Sequence, residues 1–453
     1  MDYQLVKNTE WKEVEINDEK EKIPSCWNID KISSLVKTGV TKGTTPSTIG
    51  FDFLDNGFIK FFKIEHLKND TLLDSNVFIS EECNKKMKRS QLMEDDLLFS
   101  IAGTIGNIAK VEKKHLPANT NQAVAIVRLK NKEDINFIKF YFKNYIKKLT
   151  KNALTGVISN FNLGMLENLE IRIPSMQEKL IISSVLSKQE SIISNIEKLI
   201  EKNEIIFKEL SEQLLSGEIR LKEEDGKISI YKNPEDNWKE IEVNGEMKKI
   251  PCDWTVEVLK NHVKIINGYA FPKQQMENEK KETSIPIIKI GNIQDNSIVN
   301  NSGNGQTYFS GLIKEVFVPQ YNDLIVGLSG ANAGKTGIYK LKRKSILNQR
   351  NAIIRINSTK INQDFFNFFW FKDSLKVLKE GIKDSAIPNI SSDDIEKIDV
   401  LILPLQEQNS ISYLLTKKIE LINKQKLLLQ KESEKFDWLL NNLLSGNYLV
   451  KEK

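Results

Sequence analysis

The sequence predicts an α+β protein: two copies of one mixed α/β globular unit with a β-rich core, separated by two long helices forming an antiparallel coiled coil, in a circular, pseudo-two-fold arrangement. Three observations carry this. Residues 11–27 (WKEVEINDEKEKIPSCW) and 238–254 (WKEIEVNGEMKKIPCDW) align without a gap at an offset of 227 and are identical at 10 of 17 positions. Residues 177–217 and 406–446 align without a gap at an offset of 229, with 15 of 41 identities. Both of these later stretches carry apolar residues at alternating spacings of three and four, the signature of a helix that pairs with another helix. Ungapped matches of this length mean two copies of one structural unit, and the period is far above that of a solenoid.

Each half opens with a mixed segment rich in aromatics, glycine and short β-like runs. Within it the copies keep step. Asp96-Leu97-Leu98-Phe99-Ser100-Ile101-Ala102-Gly103 answers Asp323-Leu324-Ile325-Val326-Gly327-Leu328-Ser329-Gly330. Asn121-Gln122-Ala123-Val124-Ala125-Ile126 answers Asn348-Gln349-Arg350-Asn351-Ala352-Ile353. Phe140-Tyr141-Phe142-Lys143 answers Phe369-Trp370-Phe371-Lys372. Between these anchors the sequences diverge, as expected when a shared scaffold carries loops that bind related but different things.

The helical segments begin just after Pro174 and Pro404 and end at the same Leu-Leu-Ser-Gly stop, Gly217 and Gly446, where glycine takes the left-handed position. The first seam runs through Leu186, Gln189, Ile193, Ile196, Ile200, Asn203, Phe207, Leu210 and Leu214. The second runs through Leu415, Lys418, Ile422, Gln425, Leu429, Glu432, Phe436, Leu439 and Leu443. Each would form a rod of about 60 Å. If a two-fold axis perpendicular to the rods relates the halves, the helices pair antiparallel with the globular units at opposite ends. The chain ends at Val450-Lys451-Glu452, answering Leu221-Lys222-Glu223, so the two termini are expected near each other. The expected bounds are a first globular domain at 1–175 with an N-terminal segment at 1–22, and a first helix at 176–217. A linker and second domain follow at 218–404, then a second helix at 405–446 and a tail at 447–453.

Composition bounds the function. Hydrophobic content of 40% and charge of 28% fit a soluble globular protein. No apolar run approaches the roughly 20 residues that span a bilayer, and the acidic, polar start is unlike a signal peptide, so a cytoplasmic protein without a membrane partner is expected. Cys26, Cys83 and Cys252 lie far apart and only three histidines occur, which argues against a disulfide framework and against bound metal. The net charge of +5 permits a phosphate-backbone partner without demanding one.

No catalytic centre can be assembled. Gly330-Ala331-Asn332-Ala333-Gly334-Lys335-Thr336 imitates a phosphate loop, but Ser329 stands at its first-glycine position and a strand-like run follows instead of a helix. A glycine hairpin is the better reading. His66, His115 and His262 are isolated, without a metalloprotease or triad spacing, and read as surface or core filler. No Pro-Pro occurs, so the Asn-Pro-Pro-Tyr-like loop of a DNA amino-methyltransferase is missing.

The chain resembles the specificity (S) subunits of type I restriction–modification systems. The resemblance rests on Ile-Pro-x-x-Trp opening each half (Ile23, Pro24, Trp27; Ile250, Pro251, Trp254) and on Gly43-Thr44-Thr45-Pro46-Ser47. It rests also on Asn267-Gly268-Tyr269-Ala270-Phe271 and Pro286-Ile287-Ile288-Lys289-Ile290-Gly291-Asn292-Ile293. The helix starts complete it, Ile173-Pro174-Ser175-Met176-Gln177-Glu178 and Leu403-Pro404-Leu405-Gln406-Glu407-Gln408, the first departing mildly from the usual form at Met176 and Lys179. Such a resemblance implies two target-recognition domains, each reading one half of a split double-stranded DNA sequence. It implies helices that set the gap between the halves and dock two adenine-methylating (M) subunits, with restriction/translocase (R) subunits joining. No cofactor is implied for this chain; S-adenosylmethionine, ATP and Mg are implied for the partners.

Base edges are read by amides, hydroxyls and cations on loops. The candidates in the first copy are Thr44, Thr45, Ser47, Lys63, Asn119, Thr120, Asn121 and Gln122. In the second they are Tyr269, Lys273, Gln274, Lys289, Asn292, Asn348, Gln349 and Arg350. For each the ordinary alternative is a solvated loop residue. The aromatic pairs Phe140-Tyr141-Phe142 and Phe369-Trp370-Phe371 could stack on bases but read as core. Two rival classes stay open from the residues alone: a coiled-coil scaffold with two protein-binding heads, and a nucleotide-dependent enzyme using Gly334-Lys335-Thr336.

Overall fold

The structure, a computed structural model, describes residues 3–68, 70–152, 161–281, 284–294, 297–298, 306–381 and 389–452. Residues 1, 2 and 453, which fall in the expected N-terminal segment and C-terminal tail, lie outside them. The chain divides into two compact units, Met1–Leu199 with Lys426–Lys453, and Ile200–Gln425. Both long helices are continuous, Met176–Ser216 and Leu405–Leu444, and the division between the units falls inside each of them.

In the first unit, Trp11–Ile16 and Glu19–Pro24 form a hairpin whose two turn residues, Asn17 and Asp18, both take positive φ. That backbone matches the right-handed twist of the flanking strands. The strand Tyr3–Lys7 pairs antiparallel with Tyr448–Glu452, so the two chain termini are joined in one ladder. A four-stranded sheet in the order Ile108–Lys110, Leu97–Ser100, Val124–Val127, Thr41–Lys42 and a three-stranded sheet of Ala118–Thr120, Ile59–Phe62 and Phe78–Ile79 follow. The helix Ile135–Asn152 buries Phe137, Ile138, Phe140 and Phe142 in one core with Trp27, Leu186, Phe436, Leu439 and Leu443.

The second unit repeats this plan. Trp238–Val243 and Glu246–Pro251 make the same hairpin, turning at Asn244 and Gly245, again with positive φ. Ile219–Glu224 pairs with Lys227–Lys232 through the Asp225-Gly226 turn. This hairpin is the uninterrupted form of what the two termini build together in the first unit. Its core joins Trp254, Phe365, Phe366, Phe369 and Trp370 to Leu214, Leu215, Ile411 and Leu415. The aromatic runs at 140–142 and 369–371 are thus core, as the sequence reading favoured; only Phe371 is half-exposed.

An ion pair is copied with the fold. Arg128 donates from Nε and Nη2 to both oxygens of Asp96, at 2.7 and 2.8 Å. Arg355 grips Asp323 in the same way, with Nε at 2.8 Å and Nη2 at 2.5 Å. Each aspartate also accepts a backbone N–H three residues upstream, from Met93 or Gln320, and so locks the turn that feeds the central strand.

Within each unit the two helices run antiparallel. In the first, Gln189 donates to Glu432 (2.6 Å), while Glu178 accepts the backbone N–H of Val450 (3.3 Å). In the second, Asn203 donates to Gln425 (3.1 Å), while Glu407 accepts the N–H of Leu221 (3.3 Å). Leu186, Ile200, Leu214, Leu415, Ile422, Phe436, Leu439 and Leu443 are buried; Ile193, Phe207, Leu210 and Leu429 are half-buried. Four of the five polar seam positions pair, Gln189 with Glu432 and Asn203 with Gln425, and such pairs fix register because any slip would leave an amide facing an apolar neighbour.

Candidate functional site

Two parallel strands create the edge on which the site stands. In the first unit Ile59–Phe62 lies beside Ala118–Thr120 with Phe62 opposite Thr120. Both strands therefore end together, at Lys63 and Asn121. The loop from Gly43 is drawn against the same edge: Gly43 donates its N–H to the Asn121 carbonyl at 3.1 Å, and a Cβ on Gly43 would sit 1.7 Å from the Thr120 oxygen. Only glycine allows that approach. In the second unit Ile288 lies opposite Leu347, so Lys289 and Asn348 share an edge, and Tyr269 exchanges backbone bonds with Leu347 and Gln349. Here a Cβ on Gly268 would lie 2.1 Å from the Asn348 oxygen. Three stretches far apart in sequence are thus gathered at one place in each unit.

The tips are built alike. Asn121 Oδ1 accepts the N–H of Ala123 (3.2 Å) and Asn348 Oδ1 accepts the N–H of Arg350 (3.1 Å), an Asx turn in both copies. What the turns present differs. In the first unit the Thr45 hydroxyl donates to the side-chain oxygen of Gln122, an exposed residue whose amide nitrogen remains available as a donor. Thr44 and Thr45 are half-buried and Ser47 is exposed at the head of the turn Pro46–Ile49. Lys63 holds its ammonium 4.7 Å from the Phe53 ring. In the second unit Tyr269, Lys273, Gln274, Gln349 and Arg350 are exposed, and Lys289 donates to the Thr307 hydroxyl at 2.5 Å. Tyr269 leans on Phe271 and Phe317, at 5.1 and 5.3 Å between ring centres. Phe53 and Phe317 escaped the sequence reading, because neither belongs to a repeated motif.

Three candidates are corrected. Asn119 and Thr120 are fully buried: the Asn119 amide donates to Asn84 and to the Met87 carbonyl, and the Thr120 hydroxyl donates to the Phe62 carbonyl. Asn292 is buried too, its oxygen accepting the Lys289 N–H and its amide donating to Gln306. These groups satisfy backbone and side chains of neighbouring segments, so none is turned to a ligand.

Asn292 also explains the histidines. His66 Nδ1 accepts the Lys63 N–H (2.9 Å), in the place of the Asn292 oxygen, and His115 Nδ1 accepts the Glu112 N–H (3.0 Å). Burial above all holds both imidazoles below their usual range. A neutral ring can accept at Nδ1 and a protonated one cannot. A depressed folded-state value means the stabilisation is complete above about pH 6.5 and is lost as the pH falls. Amide exchange, corrected for intrinsic rate, should therefore quicken at Lys63 and Glu112 as the pH is taken progressively below about 6.5. The Lys289 amide, capped by Asn292, should not change.

The glycine loop after Gly327 is a hairpin: Leu324–Gly327 pairs antiparallel with Thr336–Ile338, and Gly327 exchanges backbone bonds with Gly334 and Lys335. A phosphate loop instead leads into a helix. Among the described residues no group of three or more metal-ligating side chains converges, and no helix is long and apolar enough to cross a membrane.

One scaffold used twice, with a rigid turn at the same edge and unlike side chains on it, defines a protein that carries two related recognition surfaces. The family model of the type I restriction modification DNA specificity domain matches residues 24–212 and again 251–431, and the chain belongs to that family. It is 24% identical to the putative type I restriction enzyme MjaX specificity subunit of Methanocaldococcus jannaschii, over 99% of both chains. It is 25% identical to the MjaIX specificity subunit of the same organism, over 98% of both. The fold is similar to the type I restriction–modification S subunit of M. genitalium, with a TM-score of 0.56 at 15% identity over 92% of this chain and 96% of that one. A chain from a structure concerned with assembly and conformational transition of the type I system gives 0.51 at 15% identity, over 94% and 100%.

Proposed function

We propose that each unit of this specificity subunit reads one half of a bipartite, asymmetric double-stranded DNA target, and that the paired helices set the gap and dock two methyltransferase subunits. S-adenosylmethionine, ATP and Mg would be held by the methyltransferase and restriction/translocase partners. The observation that carries the reading is the edge at Asn121 and Asn348. The Asx turn there is the same in both copies, while Thr44, Thr45, Ser47 and Gln122 of the first copy are answered by Tyr269, Lys273, Gln274, Gln349 and Arg350 in the second. Lys63 and Lys289 beside them suit phosphate contacts, which fix register without reading sequence.

Exchanging residues 23–173 for the equivalent stretch of a relative should change one half of the methylated motif and leave the other half and the gap alone. Methylome sequencing of cells carrying the hybrid with its methyltransferase reads this directly; a change in both halves would contradict independent reading. The purified chain without methyltransferase should transfer no methyl group from S-adenosylmethionine to DNA.

A further inference from the structure

This chain spends arginine sparingly. Seven of its 66 basic residues are arginine: Arg89, Arg128, Arg172, Arg220, Arg343, Arg350 and Arg355. Lysine supplies the rest of the positive charge. Arginine's planar fork matters where two parallel hydrogen bonds must be made, and lysine cannot replace it there. Arg128 and Arg355 each grip an aspartate through two nitrogens, Arg220 grips Glu407 and Asp253, Arg172 meets Glu21, and Arg343 lies over Tyr308 and donates to the Ser284 carbonyl. Of the remaining two, Arg89 is an exposed residue in the short turn after the helix Glu81–Lys86. Arg350 stands on the recognition edge itself. Its side chain is exposed and has no partner among the described residues.

The backbone under Arg350 is fixed from both sides. Its N–H is held by Asn348 Oδ1 at 3.1 Å and its carbonyl accepts the Leu328 N–H at 2.8 Å. Ala123 occupies the same place in the first unit, held by Asn121 Oδ1 at 3.2 Å and by the Ile101 N–H at 2.9 Å. One scaffold position thus carries a buried methyl in one copy and an unpaired guanidinium in the other. Tyr269, 41% exposed, accepts the N–H of the adjoining Gln349 at its backbone carbonyl, at 3.0 Å.

Resting on the function proposed above, we infer that Arg350 is a specificity-determining residue, its guanidinium donating two hydrogen bonds to the major-groove edge of a guanine in the half-site read by the second unit. Guanine presents two acceptors, O6 and N7, at the spacing of the arginine fork. The first unit has no cation at this position and reads its half-site through Gln122 and Thr45 instead.

The test uses the full chain assembled with its methyltransferase, as wild type, Arg350→Ala and Arg350→Lys, with the methylated motif mapped by sequencing. The half belonging to the second unit is the one that stays constant when residues 23–173 are exchanged. That half should contain a G·C pair at which Arg350→Ala relaxes discrimination by about 5- to 150-fold, with the other half untouched. Arg350→Lys keeps the charge and loses the fork, so it should relax the same position. Should Arg350→Lys keep the wild-type motif, or Arg350→Ala weaken binding evenly at all positions, the residue is a phosphate contact and the inference falls. A half-site without G·C would overturn it as well. A wild-type complex with no bipartite motif would instead overturn the functional reading beneath it. Because the side chain is exposed, unchanged melting of both variants is expected.

Discussion

Arg220→Ala should destabilise the second unit by about 3–5 kcal/mol, the cost of leaving buried charge unpaired. Arg220 is 4% exposed and lies between two carboxylates. It donates to Glu407 through Nε and Nη2, both at 2.7 Å, and to Asp253 through Nη1 and Nη2, at 2.9 and 2.7 Å, with its guanidinium 5.6 Å from the Trp254 ring centre. Burial works against its charge, but the two carboxylates outweigh that and hold its proton more firmly than usual. The first unit supplies the comparison. Leu449 and Cys26 stand where Arg220 and Asp253 do, and Glu178 accepts the Trp27 indole N–H at 2.9 Å. Burial holds the Glu178 carboxyl above its usual range. In the second unit the Trp254 indole N–H is buried without a partner, because Glu407 is turned to Arg220. Arg220→Leu with Asp253→Cys rebuilds the first unit's arrangement and frees Glu407 for Trp254. That double variant should recover most of the loss. Urea unfolding of the full chain, with exchange followed separately in each unit, measures both. A wild-type midpoint for Arg220→Ala would show that the triad contributes nothing.

Gly43→Ala should abolish recognition of one half-site while the second unit keeps its fold. The added Cβ would lie 1.7 Å from the Thr120 carbonyl oxygen and 2.7 Å from that of Asn121, so the loop carrying Thr44, Thr45 and Ser47 must lift away from the Asn121 turn. Overpacking of this kind costs about 1–3 kcal/mol, which the first unit's large core can bear. The Thr45–Gln122 bond that orients the amide cannot survive the shift. The expected result is loss of methylation at the bipartite site, with binding to a DNA duplex carrying only the second half-site unchanged. Gly268→Ala is the mirror experiment, its Cβ lying 2.1 Å from the Asn348 oxygen. If both variants methylate the wild-type motif at the wild-type rate, the gathered loops do not read DNA.

Much of this molecule was legible in its sequence because the deciding forces are local and repeat themselves. Gly217 and Gly446 ended the helices because a left-handed residue is cheapest as glycine. Asn17-Asp18 and Asn244-Gly245 turned the hairpins for a related reason. The three-and-four spacing of Leu186, Phe436, Leu439 and their neighbours marked a face that had to be covered. The correspondence of Val450 with Leu221 foretold that the termini close one ladder. Tertiary structure decided the rest. Asn119 and Thr120 read as loop donors, yet parallel pairing with Ile59–Phe62 carries them into the interior, where the Phe62 and Met87 carbonyls claim them. Asn121 and Gln122, one step further along, emerge at the edge. Whether a polar side chain meets a ligand or a buried carbonyl depends on which distant backbone ends beside it, and no local pattern encodes that distance. Sequence alone therefore settled which units exist and where the helices run, whereas the site belongs to the packing that brings residues 43, 63 and 121 to one edge.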